Sequence, residues 1–104
     1  MTGATDALVN HLRLSACVVE KSSLRYTPSG LPALEVWLEQ STALQDAGVT
    51  RQNQLRLKAI AFAGLAEQLD AQALGVMHSL EGFLSTSRNG KGVVFHIQNL
   101  ISES

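Results

Sequence analysis

Apolar and polar residues alternate along much of this chain. Where the period is two they predict strands, because successive side chains of an extended chain point to opposite faces. From His11 to Val19, Leu12, Leu14, Ala16 and Val18 share one face, and His11, Arg13, Ser15 and Cys17 share the other. A second run sets Leu34, Val36 and Leu38 against Glu35, Trp37 and Glu39. A third sets Leu55, Leu57, Ala59 and Ala61 against Gln54, Arg56, Lys58 and Ile60, and ends near Phe62. The period then lengthens towards four. Leu65, Ala66, Leu69, Ala73 and Leu74 lie on one side of a predicted helix of about ten residues, with Glu67, Gln68 and Asp70 on the other and Gly75 as its stop. Val76–Leu84 and Val93–Ile101 are two more strand-like runs, so the predicted order is β-β-β-α-β-β.

The joints between these runs have their own chemistry. In Arg25-Tyr26-Thr27-Pro28-Ser29-Gly30, Pro28 presets φ for a turn and Gly30 can take positive φ as the chain reverses. Ser41 to Asn53 is polar, contains Gly48 and lacks sustained periodicity, which predicts a long exposed loop. Asn89-Gly90 is a strong hairpin signal. A two-residue turn there would set Arg88 and Lys91 opposite each other, where a passing phosphate could meet both.

Five strands with one helix between the third and fourth is the order of an OB-fold, although periodicity alone leaves other α+β sheets open. Several stretches also resemble bacterial single-stranded-DNA-binding proteins and their shortened relatives, the primosomal replication protein N (PriB) group. Residues 25–30 are similar to the turn between their first two strands. Phe62-Ala63-Gly64-Leu65-Ala66-Glu67 resembles their Phe-Gly-x-Leu-Ala-Glu junction, and Leu80-Glu81-Gly82-Phe83-Leu84 their fourth strand. Ala47-Gly48-Val49-Thr50-Arg51-Gln52 and Ile97-Gln98-Asn99-Leu100 are closer to the PriB group, and no acidic tail follows the last strand. The resemblance implies a mainly β OB-fold, a five-stranded Greek-key barrel with one short helix between strands 3 and 4. It also implies a homodimer that binds single-stranded DNA and contacts the PriA helicase and other primosome proteins in replication restart.

With 104 residues, 45% of them hydrophobic, there is room for one core. We expect a single OB-fold domain over 7–104 and a short flexible arm over 1–6. Cys17 is the only cysteine and has no partner within the chain, and neither a leader nor an 18-residue apolar span is visible. The expectation is a cytoplasmic protein with no membrane association. His11, His78 and His96 are scattered over three strands, no donor set has metal-ligand spacing, and there is no nucleophile elbow. No metal, cofactor or catalysis is expected.

A net charge of -1 argues against a broadly basic nucleic-acid surface, so binding must come from local clustering. Arg13, Arg56 and Lys58 fall on outer strand faces, Lys21 and Arg25 flank the first loop, and Arg88 and Lys91 straddle the last turn. Trp37 is the candidate base-stacking residue, although Glu35 and Glu39 share its face. Phe62, Phe83 and Phe95 read as core. Aromatic residues make up 5% of the chain, so affinity should lean on charge rather than stacking. Two other readings stay open. One is an OB-fold protein-protein adapter with weak DNA affinity, its bases serving only solubility; the other is a tail-less general single-stranded-DNA-binding protein.

Overall fold

The computed structural model describes residues 8–101. The expected arm, 1–6, lies outside the described residues. The elements are β1 (Leu12–Lys21), β2 (Arg25–Tyr26), β3 (Pro32–Asp46), β4 (Val49–Phe62), α1 (Ala63–Asp70), β5 (Met77–Thr86) and β6 (Val93–Ile101). The sheet runs β1-β5-β6-β4-β3, and β1 returns to pair with β3, which closes a five-stranded OB-fold barrel. The two-residue β2 is a strap on the outer edge of β3.

Closure depends on β1 serving two partners. Leu12–Cys17 pair antiparallel with β5, and Cys17–Lys21 pair antiparallel with β3. The register slips between Val18 and Glu20, an irregularity that bends a strand and increases its twist. β4 and β6 run parallel, and the other pairs are antiparallel.

The alternating apolar faces turn inward as their period requires. Leu34, Val36, Leu38, Ala59, Ala61, Leu80 and Phe95 are at most 1% exposed. Each large side chain among them contributes roughly 1.5–3 kcal/mol by leaving water. The small Ala59, Ala61 and Ala66 let β4 and α1 approach this core closely, and α1 adds Leu69.

Three expectations need correction. Ser41–Asn53 is not a loop, because β3 and β4 stay paired from Ala33↔Phe62 out to Asp46↔Val49. The chain reverses through Ala47-Gly48, both at positive φ (54° and 79°), the geometry of a two-residue primed turn. From Ala43 to Gln54 both faces of this ribbon meet solvent, so it had no buried face to imprint a period on the sequence.

The helix is also shorter than predicted. It ends at Asp70, leaving Leu74 54% exposed, and Gly75 (φ 84°) instead turns the chain so that its N–H donates to the Val18 carbonyl.

Finally, the last hairpin has a six-residue connection rather than a two-residue turn, since its last pair is Thr86↔Val93. A turn closed by Gly90 N–H to the Ser87 carbonyl has Arg88 and Asn89 at its centre, so Arg88 and Lys91 do not face each other as a strand pair. The Thr27–Gly30 turn matches expectation. Gly30 N–H donates to the Thr27 carbonyl at 2.8 Å, and Gly30 has φ 91°.

Candidate nucleic-acid interface

The outer faces of β3 and β4 are set by register: Glu35 lies across from Ile60, Trp37 from Lys58 and Glu39 from Arg56. The Arg56 guanidinium sits 4.8 Å from the centre of the Trp37 ring, a cation–π distance. It also donates to Glu39 Oε2 at 2.5 Å and reaches Glu20 Oε2 at 3.2 Å. The Glu39 hydrogen bond, with Glu20 behind it, holds the guanidinium pKa above its ordinary value. Arginine is charged throughout the working range regardless, so the effect is to fix geometry. Glu35 bridges Arg25 at 3.3 Å and Lys58 at 3.8 Å. Three cations of this face are thus matched by three carboxylates, in exposed pairs worth little individually.

The cations at the hairpin tip are different. Arg88 and Lys91 are exposed, and no carboxylate lies within 4 Å of either among the described residues. The tip is held by its own polar groups. Lys91 N–H donates to Asn89 Oδ1 at 2.9 Å, while Ser87 Oγ lies 2.7 Å from that same oxygen and against the Lys91 carbonyl.

This tip overhangs β4 and makes three adjoining hollows. One, of about 440 Å³, lies between Lys91 and the Trp37, Arg56 and Lys58 side chains. A second, of about 290 Å³, lies among Lys58, Ile60, Phe62, Arg88 and His96. A third, of about 180 Å³, joins Arg88 and Phe62 to Arg25 and Tyr26 at the first turn. Together they form one trough from Trp37 to Tyr26. It gathers Arg25, Trp37, Arg56, Lys58, Arg88 and Lys91 from the predicted set.

Two predicted residues stand apart. Arg13 pairs across β1–β5 with Glu81, away from the trough. Lys21 donates to the carbonyls of Asp70 at 2.7 Å and Gln72 at 2.8 Å, satisfying acceptors at the end of α1.

The trough also contains aromatic residues beyond Trp37, among them Phe62, which was expected in the core. Tyr26 is 65% exposed and Phe62 38% exposed, whereas Phe95 is core as expected. Phe83 and His96 form a cross-strand pair on the outer face, their rings stacked at 4.7 Å and 11°, with Phe62 at 6.3 Å from His96. The signal for Phe62 was available, because strict alternation from Ala59 and Ala61 points it outward. Alternation from the buried Leu80 likewise points Phe83 outward, because the residue skipped where the β5–β6 register shifts is Gln98 on β6. Among the described residues no three His, Cys, Asp or Glu side chains gather to hold a metal, and no helix is long and apolar enough to cross a membrane.

Comparison with known proteins gives consistent matches. Residues 10–99 match the model of a family described as another single-strand binding protein family. The replication restart protein PriB of Bordetella pertussis is 38% identical over 91 residues, covering 86% of this chain and 85% of that protein. PriB of Nitrosomonas europaea is 30% identical over 91 residues, with 86% and 84% covered. The solved structure of PriB from Ralstonia solanacearum superposes with a TM-score of 0.82 at 34% identity, covering 93% of this chain and all of that one. The single-stranded DNA binding protein of Thermus aquaticus, at 22% identity and a TM-score of 0.70, shares the fold over 90% of this chain and 50% of its own.

Proposed function

Since the chain belongs to the PriB family of single-strand-binding proteins, we propose that it is a single-stranded-DNA-binding accessory of replication restart. In this reading it acts as a homodimer that holds a single strand and bridges it to the PriA helicase. The observation that carries the reading is the trough. An OB-fold barrel places Arg88 and Lys91, neither engaged by a carboxylate among the described residues, over a strand face bearing Lys58, Trp37 and Phe62. Cations there meet the phosphates, and the exposed rings offer stacking surfaces for bases. No catalytic step is involved.

The test is fluorescence anisotropy of a labelled oligothymidine against a duplex of equal length, at several salt concentrations. If Lys58, Arg88 and Lys91 each neutralise one phosphate, the log-log salt slope for the single strand is about -2, from roughly -0.7 per contact. The double variant Arg88→Ala/Lys91→Ala should bind more weakly and flatten the slope by about 1.4. An unchanged slope would remove the tip from the interface. Sedimentation of the free protein, and addition of PriA to the protein–oligothymidine complex, test the homodimer and the bridge.

A second reading, the protein-protein adapter, is favoured by one observation. Arg25, Arg56 and Lys58 are already engaged by Glu20, Glu35 and Glu39. It predicts PriA binding without preference for single strands even at low salt.

A further inference from the structure

We propose that His96, together with Lys58 and Arg88, forms a pocket for one phosphate of the nucleic-acid backbone, and that the pocket takes up a proton as it fills. This rests on the single-strand-binding reading and adds to its cations a side chain from β6.

The argument begins with how the ring is held. His96 on β6 pairs with Phe83 of β5 on one side and, in parallel, with Ile60 of β4 on the other. Its imidazole lies almost flat on Phe83, and Phe62 flanks it with planes inclined by 32°. A stacked imidazole keeps its polarity at its nitrogen-bearing edge. That edge has no hydrogen-bond partner among the described residues, although the side chain lines the hollow of about 290 Å³.

The walls of that hollow determine the sign of the charge it can hold. β4 contributes Lys58, Ile60 and Phe62, the hairpin tip contributes Thr86, Ser87 and Arg88, and β6 adds Val94 beside His96. Behind the ring β5 presents Phe83, which is uncharged. The charged lining groups are therefore Lys58 and Arg88, and among the described residues no carboxylate lines the hollow; Glu35 approaches Lys58 at 3.8 Å without entering the lining. A phosphate between Lys58 and Arg88 favours the charged imidazolium, which then gains a hydrogen bond to a phosphate oxygen and a cation–π contact with Phe83. Binding and protonation are thermodynamically linked, so each strengthens the other. Histidine is the side chain that makes this exchange near neutral pH.

The experiment measures oligothymidine affinity at constant ionic strength between about pH 8 and pH 6, the window in which imidazole titrates. Calorimetry in two buffers of different ionisation enthalpy counts the protons taken up. If filling the pocket raises the imidazole pKa by about one unit, affinity tightens about sixfold between about pH 8 and pH 6. His96→Phe keeps a ring on Phe83 and His96→Gln removes it; both should lose the tightening of affinity towards lower pH. The His96 ring-proton NMR titration of the wild-type protein, with and without oligothymidine, reads the same linkage without a substitution and should move to higher pH when DNA is bound.

Equal pH dependence in wild type and variants, or an NMR titration unmoved by DNA, would overturn the proposal and leave single-strand binding standing. Absence of single-strand binding at every pH would overturn both.

Discussion

A methyl group at Gly82 would sit 1.8 Å from the His96 carbonyl oxygen and 2.9 Å from its carbonyl carbon. Both are backbone atoms of a central barrel strand and have nowhere to go. Gly82 is also where the β5 register slips, so the missing side chain lets β6 press in beneath the Phe83–His96 stack. Gly82→Ala should lose about 3 kcal/mol in a urea melt, the upper range for overpacking. A loss below about 0.5 kcal/mol, typical of a surface change, would mean that the two strands are not so close. Its neighbour Glu81 accepts a hydrogen bond from His11 at 2.8 Å, which is the main reason its carboxyl is held below the ordinary value of 4.5; partial burial opposes the shift and Asn99 supports it. A carboxyl depressed in the folded state stabilises while ionised. Its contribution is therefore complete above the unfolded value and fades as pH falls through the folded one. Glu81→Gln should accordingly unfold at lower urea than wild type near neutral pH, and the two curves should converge in acid; a gap that persists at low pH would assign the effect to packing.

The β3–β4 ribbon is the element that one-dimensional reading could not see. Strands that build the barrel announced themselves because one face is dry: Leu34, Val36 and Leu38 had to alternate with Glu35, Trp37 and Glu39. Beyond Gln40 the same two strands leave the barrel, and selection for burial no longer writes a pattern into Ser41–Asn53. Turn chemistry was legible at Thr27–Gly30, where the special residues are present, but hidden at Ala47-Gly48, where an alanine occupies a left-handed position. That alanine carries a cost of roughly 1–2 kcal/mol relative to a permissive residue. Ala47→Asn, which restores the favoured pair for a primed turn, should raise the urea midpoint by an amount equivalent to about 0.5–1 kcal/mol. A neutral or lowered midpoint would show that the ribbon's reversal is not under strain. The candidate site was legible to a similar degree. Charge positions could be read from alternation on β4, whereas the ion pairs that engage Arg25 and Arg56 come from carboxylates on other strands.

At the scale of the molecule, a net charge of -1 conceals a separation. The β3–β4 face balances its own charges, while the tip between β5 and β6 carries Arg88 and Lys91 without counter-charge among the described residues. The local field at the trough therefore owes more to two residues on a six-residue connection than to the three cations on its strands. Position and rigidity come from the barrel, and the barrel is completed by β6, which pairs antiparallel with β5 and in parallel with β4. β6 is also the last of the described barrel strands to be synthesised. Until it leaves the ribosome, β4 and β5 have no strand between them, Phe95 is missing from the core, and His96 is absent from the trough. An emerging chain can thus form the β3–β4 ribbon early, yet cannot assemble the phosphate-facing trough until translation of the domain is essentially finished, so a truncated product lacking β6 would have no complete surface with which to occupy single strands.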